Sequence, residues 1–328
     1  MNRTTGSQRL PVVFSSDKNL LLLFFLILRS YNRILNNMPI FTPPSPALQK
    51  AWWKETIVYQ IYPRSFKDSN DDGIGDLNGI TEKLDYLHGL GIETLWLNPI
   101  FASPNADNGY DISDYRQIMP DFGTMEDFDA FVAEAHRLGM KVLLDWIANH
   151  TARDARWVTE KPASWYERDA SGAPAVPWDW TDTAKLNYAE REVWRAQGDA
   201  MEFWVREHGV DGFRCDMAML VPIEFWNETA QRLRRVKPDL FMLAEAEETY
   251  LFDGGAFDAC YAWEMHHLMN DVAQQRVRVT SLRDYIYADR RRYPRSAMRL
   301  AFTSNHDENS WNGSEFARMG AAREIMAV

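Results

Sequence analysis

Apolar positions between residues 52 and 326 follow two periods. Short runs rich in β-branched and aromatic residues predict strands, and longer stretches with an apolar residue every third or fourth position predict helices. The predicted strands cover 56–62, 92–97, 141–147, 210–216, 240–244, 257–263 and 297–303. The predicted helices cover 80–90, 124–138, 189–207, 224–236, 280–292 and 315–326. This alternation is typical of a parallel sheet.

Seven strand–helix units in this order predict an α/β fold, a (β/α)8 TIM barrel without its last unit. We assign residues 51–328 to this barrel. The interval 151–187 between the third strand and its helix is rich in Trp, Pro and Asp, and predicts a short inserted domain over the barrel mouth.

The fourth predicted strand ends in charged residues. Alternate side chains of a strand share a face, so Arg214 and Asp216 should point one way and Cys215 the other. A nearby cation lowers the pKa of a carboxyl group, so Arg214 can keep Asp216 ionised. Gly212 allows close backbone packing in the same strand. Taken alone, this pair would be read as a structural ion pair.

Other strands also end in polar residues. The third ends in the run Asp145–His150, the fifth in Glu245, and the seventh in Asn305-His306-Asp307. Barrel enzymes place their reactive groups at the carboxyl ends of the strands. A lone histidine there is more often a satisfied core residue, but the joint pattern predicts one functional site.

Composition narrows the classes of partner. The chain has 328 residues, of which 46% are hydrophobic, and a net charge of −11. This charge argues against nucleic acid or an anionic membrane surface as a partner, since both require a basic face. Thirteen Trp and thirteen Tyr would suit the flat apolar faces of sugar rings. Cys215 and Cys260 cannot form a disulfide framework, and we interpret both as buried thiols.

Residues 1–50 differ from the barrel and predict a poorly ordered extension. The apolar run Leu20–Leu28 is shorter than the ~20 residues of a membrane span, and no small-residue cleavage site follows it. Either Met38 is the true start, which predicts a cytoplasmic protein, or the run is a degenerate signal or anchor, which predicts export to the periplasm or beyond. The sequence leaves both open.

The loop after the first strand predicts a metal site. Oxygen-bearing side chains occupy alternate positions with Gly at the sixth, as in a calcium loop. Gly79 replaces the final Glu of an EF-hand, so this is not an EF-hand. The predicted ligands of a structural Ca²⁺ are Asp68, Asn70, Asp72, Asp76 and the carbonyl of Ile74. The alternative is an acidic loop of Asx turns without metal. No organic cofactor is predicted.

The strand-end motifs together resemble the alpha-amylase superfamily, glycoside hydrolase family thirteen. The similarity runs over residues 52–328 and includes the segments 59–66 and 107–115, which resemble the oligo-1,6-glucosidase and alpha-glucosidase branch. The loop 68–76 resembles the calcium loop of many glucosidases of this family. The resemblance implies retaining cleavage of alpha-glucosidic bonds in maltodextrin-type oligosaccharides through a covalent glucosyl-enzyme.

The resemblance also implies roles for single residues. Asp216 corresponds to the nucleophile, Glu245 to the general acid/base and Asp307 to the third carboxylate, with Arg214 orienting Asp216. A retaining glycosidase needs one ionised and one protonated carboxyl group about 5–5.5 Å apart. The implied substrate contacts are Asp107, Tyr110 stacking under the sugar, His150 and His306.

Some features depart from the family pattern. Met217-Ala218-Met219-Leu220 replaces the Lys-His pair that follows the nucleophile in many alpha-amylases, and Met217 leaves both α-1,4 and α-1,6 specificity open. The repeat stops at Val328, before an eighth unit and the usual C-terminal β-domain. An open barrel has two unpaired edges, so we expect this chain to be part of a longer enzyme, poorly stable and nearly inactive alone.

Two alternative functions share these residues. A transglycosylase would use the same carboxylates and differ only in whether water or sugar accepts the glucosyl group. A non-catalytic binding relative, or a fragment without function of its own, would belong to a different class. Such relatives typically lose part of the carboxylate set, whereas Asp216, Glu245 and Asp307 are all present here.

Overall fold

The computed structural model describes residues 51–323 and Met326. The predictions for residues 1–50, including the apolar run and Met38, therefore lie outside the described residues. These described residues all belong to one compact unit. No helix in the described part of the chain has both the length and the hydrophobicity required to cross a membrane.

Seven strands form one curled parallel sheet in which each strand pairs with the next along the chain. They are β1 Val58–Ile61, β2 Thr94–Leu97, β3 Lys141–Trp146, β4 Gly212–Cys215, β5 Phe241–Ala244, β6 Ala259–Tyr261 and β7 Met298–Leu300. All seven predicted strands are present, most of them shorter than predicted. The incomplete (β/α)8 fold predicted from the sequence is confirmed.

The α-helices are Pro63–Phe66, Leu77–Thr81, Leu84–Gly89, Met125–Arg137, Arg156–Glu160, Arg191–Arg206, Ile223–Val236, Trp263–Ala273, Thr280–Arg292, His306–Trp311 and Glu315–Met319. The helix predicted at 80–90 is divided in two. Sequence reasoning missed Trp263–Ala273 and His306–Trp311. Neither has an apolar stripe, because the buried residues of the first include His266 and Asn270 and the second buries only Glu308.

The two faces of the sheet pack into different hydrophobic clusters. Phe213 and Cys215 of β4 point outward into the core between sheet and helices. The inward residues, among them Trp96 and Leu243, form a second cluster inside the barrel. A Cβ at Gly212 would collide with the carbonyl oxygen of Phe241, so only glycine allows β4 and β5 to approach this closely. The predicted alternation along β4 is confirmed.

Two short antiparallel pairs extend from the barrel. Phe101–Ala102 pairs with Asp114–Ile118, which the sequence analysis did not predict. His150–Ala152 pairs with Thr183–Lys185 and closes the inserted segment, which has its own apolar cluster of Trp165, Tyr166, Ala184, Leu186 and Val193. The inserted segment therefore begins directly at the end of β3, where the predicted site residues lie.

Asp211, just before β4, is a buried anion surrounded by cations. Its carboxylate lies 3.0 Å from Lys141 Nζ, 2.7 Å from Lys237 Nζ and 2.7 Å from His136 Nε2, and it accepts a hydrogen bond from the Val142 N–H. Burial alone would raise the pKa of Asp211, but these partners outweigh it and hold the pKa below its usual range. The cluster ties β3 and β4 to two surrounding helices.

Replacing Asp211 with Asn should lower the free energy of unfolding by about 3 kcal/mol, because it leaves Lys141 and Lys237 without their shared partner. The stabilisation from the depressed pKa is present above about pH 4 and is lost as pH falls toward the folded-state pKa. Urea denaturation at pH 7 and at lower pH measures both effects.

The matched control is Asp239→Asn, because the Asp239 side chain is 56% exposed and lies 4.0 Å from the same Lys141. A surface pair of this kind should change stability by less than about 1 kcal/mol. Equal losses for the two variants would contradict the assigned role of Asp211.

Candidate active site

Arg214 is fully buried inside the barrel and contacts three carboxylates from three adjacent strand ends. Its Nη1 donates to Asp145 Oδ1 at 2.7 Å and to Asp216 Oδ1 at 2.8 Å. Its Nη2 lies 2.7 Å from Glu245 Oε1, an ion-pair distance, although its N–H bonds do not point along that line. Its Nε donates to the hydroxyl of Tyr261 at 3.1 Å. One guanidinium therefore contacts two of the three predicted catalytic carboxylates, Asp216 and Glu245.

Asp216 and Glu245 lie on the same guanidinium, and each acts on the pKa of the other. Burial raises the pKa of Glu245 to about 7, with a further rise from Asp216 and an opposing effect from Arg214. Burial also raises the pKa of Asp216 to about 6, and Arg214 opposes this shift. The expectation of a net lowered pKa for Asp216 was wrong, because burial outweighs the arginine.

Met217 has a left-handed backbone, with φ 41° and ψ 47°. This region is unfavourable for a residue with a side chain, and such conformations concentrate at functional sites. The conformation directs the Met217 N–H toward Glu245 Oε2, at 2.9 Å. Sequence analysis considered only the Met217 side chain and missed this backbone contact.

A second set of hydrogen bonds orients His306. Gln60 Nε2 donates to His306 Nδ1 at 2.8 Å, so Nε2 carries the histidine proton and donates it to the Tyr110 hydroxyl at 2.9 Å. That hydroxyl in turn donates to Asp145 Oδ2 at 2.9 Å. Burial and the nearby Arg214 lower the pKa of His306 to about 3, so the ring is neutral.

Tyr110 packs parallel to His306, with ring centroids 5.4 Å apart and planes 7° apart. Its hydroxyl also accepts from Asn98 Nδ2 at 3.1 Å. Sequence reasoning missed Gln60, Asn98, Trp96 and Tyr261 as neighbours of the site. A usable signal was present for Gln60, a polar residue with an inward position in an otherwise apolar strand.

The remaining predicted substrate residues surround this centre. Burial raises the pKa of Asp307 to about 6, with Glu245 adding to the rise. The pKa of Asp107 is raised to about 6, mainly by burial and further by the charges of Asp182, Asp111 and Asp307. Asp307 and Asp107 therefore lie close enough to influence each other.

His150 is only 2% exposed, and burial lowers its pKa to about 4. Its Nδ1 faces Asn149 Nδ2 at 3.2 Å, and the Tyr110 backbone opposes part of the pKa shift. Its Nε2 is buried without an aligned hydrogen-bond partner. The structure thus brings all eight predicted catalytic and substrate residues into one region.

The predicted calcium loop is a separate feature. The Asp68 carboxylate accepts backbone hydrogen bonds from Asn70, Asp71 and Gly73, and the bond from Gly73 contributes most to lowering its pKa. Asp76 accepts from the Gly79 N–H and begins the following helix. Within residues 51–323, no group of three or more His, Cys, Asp or Glu side chains is arranged to hold a metal ion. The calcium site stays a prediction.

The hydrogen bonds around His306 predict one tautomer. At pH 7 the ring should be neutral with its proton on Nε2, and it should stay neutral down to about pH 4 because its pKa is lowered. Two-dimensional ¹H–¹⁵N NMR of the side chain measures both properties. Gln60→Leu should remove the preference for Nε2–H. A proton on Nδ1, or protonation near pH 6, would contradict this assignment.

Comparison with known proteins identifies the family of the chain. The family model for the alpha-amylase catalytic domain matches residues 60–181 and 165–327. The chain is 41% identical over 205 residues to trehalose-6-phosphate hydrolase of Bacillus subtilis and 40% identical over 212 residues to oligo-1,6-glucosidase of Bacillus cereus. These alignments cover 53% and 54% of this chain but only 36% and 37% of the relatives.

The fold agrees as well. An alpha-amylase from Lactobacillus plantarum is 32% identical with a TM-score of 0.70, over 77% of this chain and 63% of the other. The chain thus spans little more than a third of the curated relatives that it matches. The family model, by contrast, covers nearly all of residues 60–327, so the chain belongs to the alpha-amylase family.

Proposed function

We propose that this protein cleaves alpha-glucosidic bonds of short maltodextrin-type oligosaccharides with retention of configuration. The observation that carries the proposal is that one guanidinium holds both carboxyl groups, with Asp216 Oδ1 2.8 Å from Arg214 Nη1 and Glu245 Oε1 2.7 Å from Arg214 Nη2. An inverting glycosidase keeps its two carboxyl groups roughly 6.5–9.5 Å apart to leave room for water, whereas a retaining one keeps them about 5–5.5 Å apart. Two carboxyl groups on neighbouring nitrogens of one guanidinium fit the shorter spacing, which supports a double-displacement mechanism.

In the first step, an Asp216 oxygen attacks the anomeric carbon as the glycosidic C–O bond breaks. Glu245 gives its proton to the departing oxygen, and a glucosyl ester forms on Asp216. In the second step, Glu245 takes a proton from water, which attacks the same carbon and releases Asp216. Burial raises the pKa of Glu245, which favours the protonated form that a general acid needs.

The charges around the site favour a neutral sugar. The charges of Asp182 and Asp307 raise the pKa of Asp107, so all three carboxyl groups belong to one acidic region. A phosphorylated sugar, such as the substrate named for the trehalose-6-phosphate hydrolase relative, would add charge of the same sign there. Carboxylates can instead accept hydrogen bonds from sugar hydroxyls, which supports an unmodified oligosaccharide.

Replacing Asp216 with Asn should lower kcat on maltotriose by roughly four orders of magnitude or more, because no nucleophile remains. Glu245→Gln should lose most activity on maltotriose but much less on α-glucosyl fluoride, since fluoride departs without a proton. Steady-state kinetics on both substrates measure the two effects. NMR of the first product of the wild-type protein should detect the α-anomer.

The control is Glu264→Gln, whose side chain is 53% exposed and pairs with Arg292 at the surface. It neutralises one carboxylate away from the site and should leave both activities unchanged. A β-anomer as first product, or an Asp216→Asn variant as active as Glu264→Gln, would overturn the proposed mechanism.

We also propose that loop 68–76 binds a structural calcium ion. The donors would be the side-chain oxygens of Asp68, Asn70, Asp72 and Asp76 and the carbonyl of Ile74, an all-oxygen set that suits Ca²⁺. Asp68 and Asp72 already accept loop N–H groups, and their oxygens keep further lone pairs. A bound ion would fix the entry to the helix Leu77–Thr81.

Removing calcium should therefore lower the melting temperature by about 5–10 °C, as expected when an ion present at about 100 times its Kd is withdrawn. Calorimetry in millimolar CaCl2, MgCl2 or EDTA measures the shift. Asp72→Ala should melt at the EDTA value in every buffer. Identical melting of the wild-type protein in calcium and in EDTA would exclude the ion.

A further inference from the structure

The third predicted catalytic carboxylate, Asp307, is held differently from the other two. Arg214 contacts the other two directly. The Asp307 side chain is 41% exposed and lies 3.4 Å from His306 Nε2. His306 in turn has its own hydrogen bonds with Gln60 and Tyr110. The position of the Asp307 carboxylate therefore depends mainly on the backbone that carries it.

That backbone belongs to the short helix His306–Trp311, whose single buried residue is Glu308. Six residues are too few for a helix that is stable on its own in water, so this helix depends on tertiary contacts. A buried carboxylate in turn needs partners that replace water. The partners of Glu308 thus determine where Asp307 lies.

Two buried side chains, His266 and Arg318, contact the Glu308 carboxylate. Nε2 of His266 lies 3.0 Å from Glu308 Oε2, and Nε of Arg318 lies 3.8 Å from the same oxygen. His266 belongs to the helix Trp263–Ala273 and Arg318 to the helix Glu315–Met319. Glu308 is therefore fixed between two other helices.

The same two side chains also contact the residues that precede the short helix. His266 Nδ1 donates to the carbonyl oxygen of Phe302 at 3.0 Å, and the two rings stack with centroids 4.5 Å apart. Arg318 Nη2 donates to the carbonyl oxygen of Thr303 at 2.8 Å. The segment from Phe302 to Glu308 is therefore held at both ends by one pair of side chains.

We propose that His266, Glu308 and Arg318 are positioning residues for Asp307. They act through the backbone on both sides of Asp307 and keep its carboxylate at one place in the site. This inference rests on the proposed function, in which Asp307 belongs to the acidic region that accepts hydrogen bonds from the sugar. A displacement of about 1 Å in such a site can lower the rate about 100-fold.

The test removes the Glu308 carboxylate with and without Asp307. Glu308→Leu should lower kcat on maltotriose roughly 100-fold. Glu308→Gln keeps an oxygen for both partners and should lower kcat by about fivefold or less. In an Asp307→Asn background, Glu308→Leu should lower kcat by less than about twofold further, because a residue that acts through Asp307 loses its effect once that carboxylate is gone.

The matched control is Asp258→Asn. Asp258 accepts a hydrogen bond from Arg234 at 2.8 Å and lies just before β6, at the opposite end of the barrel. This substitution should lower the melting temperature and leave kcat unchanged, because it breaks a partly buried pair away from the site. If Glu308→Leu fails to fold, Arg318→Met replaces it in the same series and should show the same dependence on Asp307.

Three kinetic outcomes would overturn the positioning role. They are an unchanged kcat for Glu308→Leu, a loss that is equally large with and without Asp307→Asn, and an equal loss for Asp258→Asn. The second and third would indicate a general effect on stability rather than an effect through Asp307.

A crystal structure of the Glu308→Leu variant gives a readout that needs no turnover. The Asp307 carboxylate should move by about 1 Å or more from its wild-type position, while the hydrogen bond between Gln60 and His306 stays. An Asp307 carboxylate that does not move would contradict the proposal. A wild-type protein that cleaves neither maltotriose nor α-glucosyl fluoride would instead refute the proposed function, and the two crystal structures would still decide the positioning role.

Discussion

The site depends on one buried cation among three anions. Arg214 contacts Asp145, Asp216 and Glu245, which come from adjacent strands. If all three carboxylates were ionised, the group would carry two uncompensated negative charges in a medium that penalises charge. The group has a lower free energy when one carboxyl keeps its proton, and burial accordingly raises the pKa of Glu245 to about 7. The same crowding of carboxylates around Arg214 thus favours a protonated Glu245.

Strand β4 carries buried ionic clusters of opposite polarity at its two ends. Before the strand, the single anion Asp211 is surrounded by Lys141, Lys237 and His136. At its exit, Arg214 is surrounded by anions. The first cluster lies at the amino ends of the strands, where the residues of barrel proteins contribute to stability. The second cluster lies at the carboxyl ends, where barrel enzymes have their active sites. One short strand therefore has a cluster centred on an anion at one end and a cluster centred on a cation at the other.

The sequence predicted those parts of the molecule that depend on local pattern. The alternation of side chains along β4 predicted that Arg214 and Asp216 share a face. The polar residues at the strand ends predicted which residues line the site. Features that depend on distant neighbours were missed. The pKa of Asp216 depends on the balance between burial and the charge of Arg214. The backbone conformation of Met217 depends on the position of Glu245. The helix Trp263–Ala273 depends on polar contacts such as the one between His266 and Glu308.

The hydrogen bond between Gln60 and His306 joins the two ends of the sheet. Gln60 lies on β1 and His306 follows β7, the first and last strands of the sheet in residues 51–323. The backbone ladder runs from β1 to β7 through the five strands between them, whereas this side-chain bond connects the two directly, at the site itself. This hydrogen bond therefore links the first and last strands of the sheet without using the strands between them. Any ligand that held His306 in this orientation would also stabilise the link between β1 and the segment after β7 by mass action.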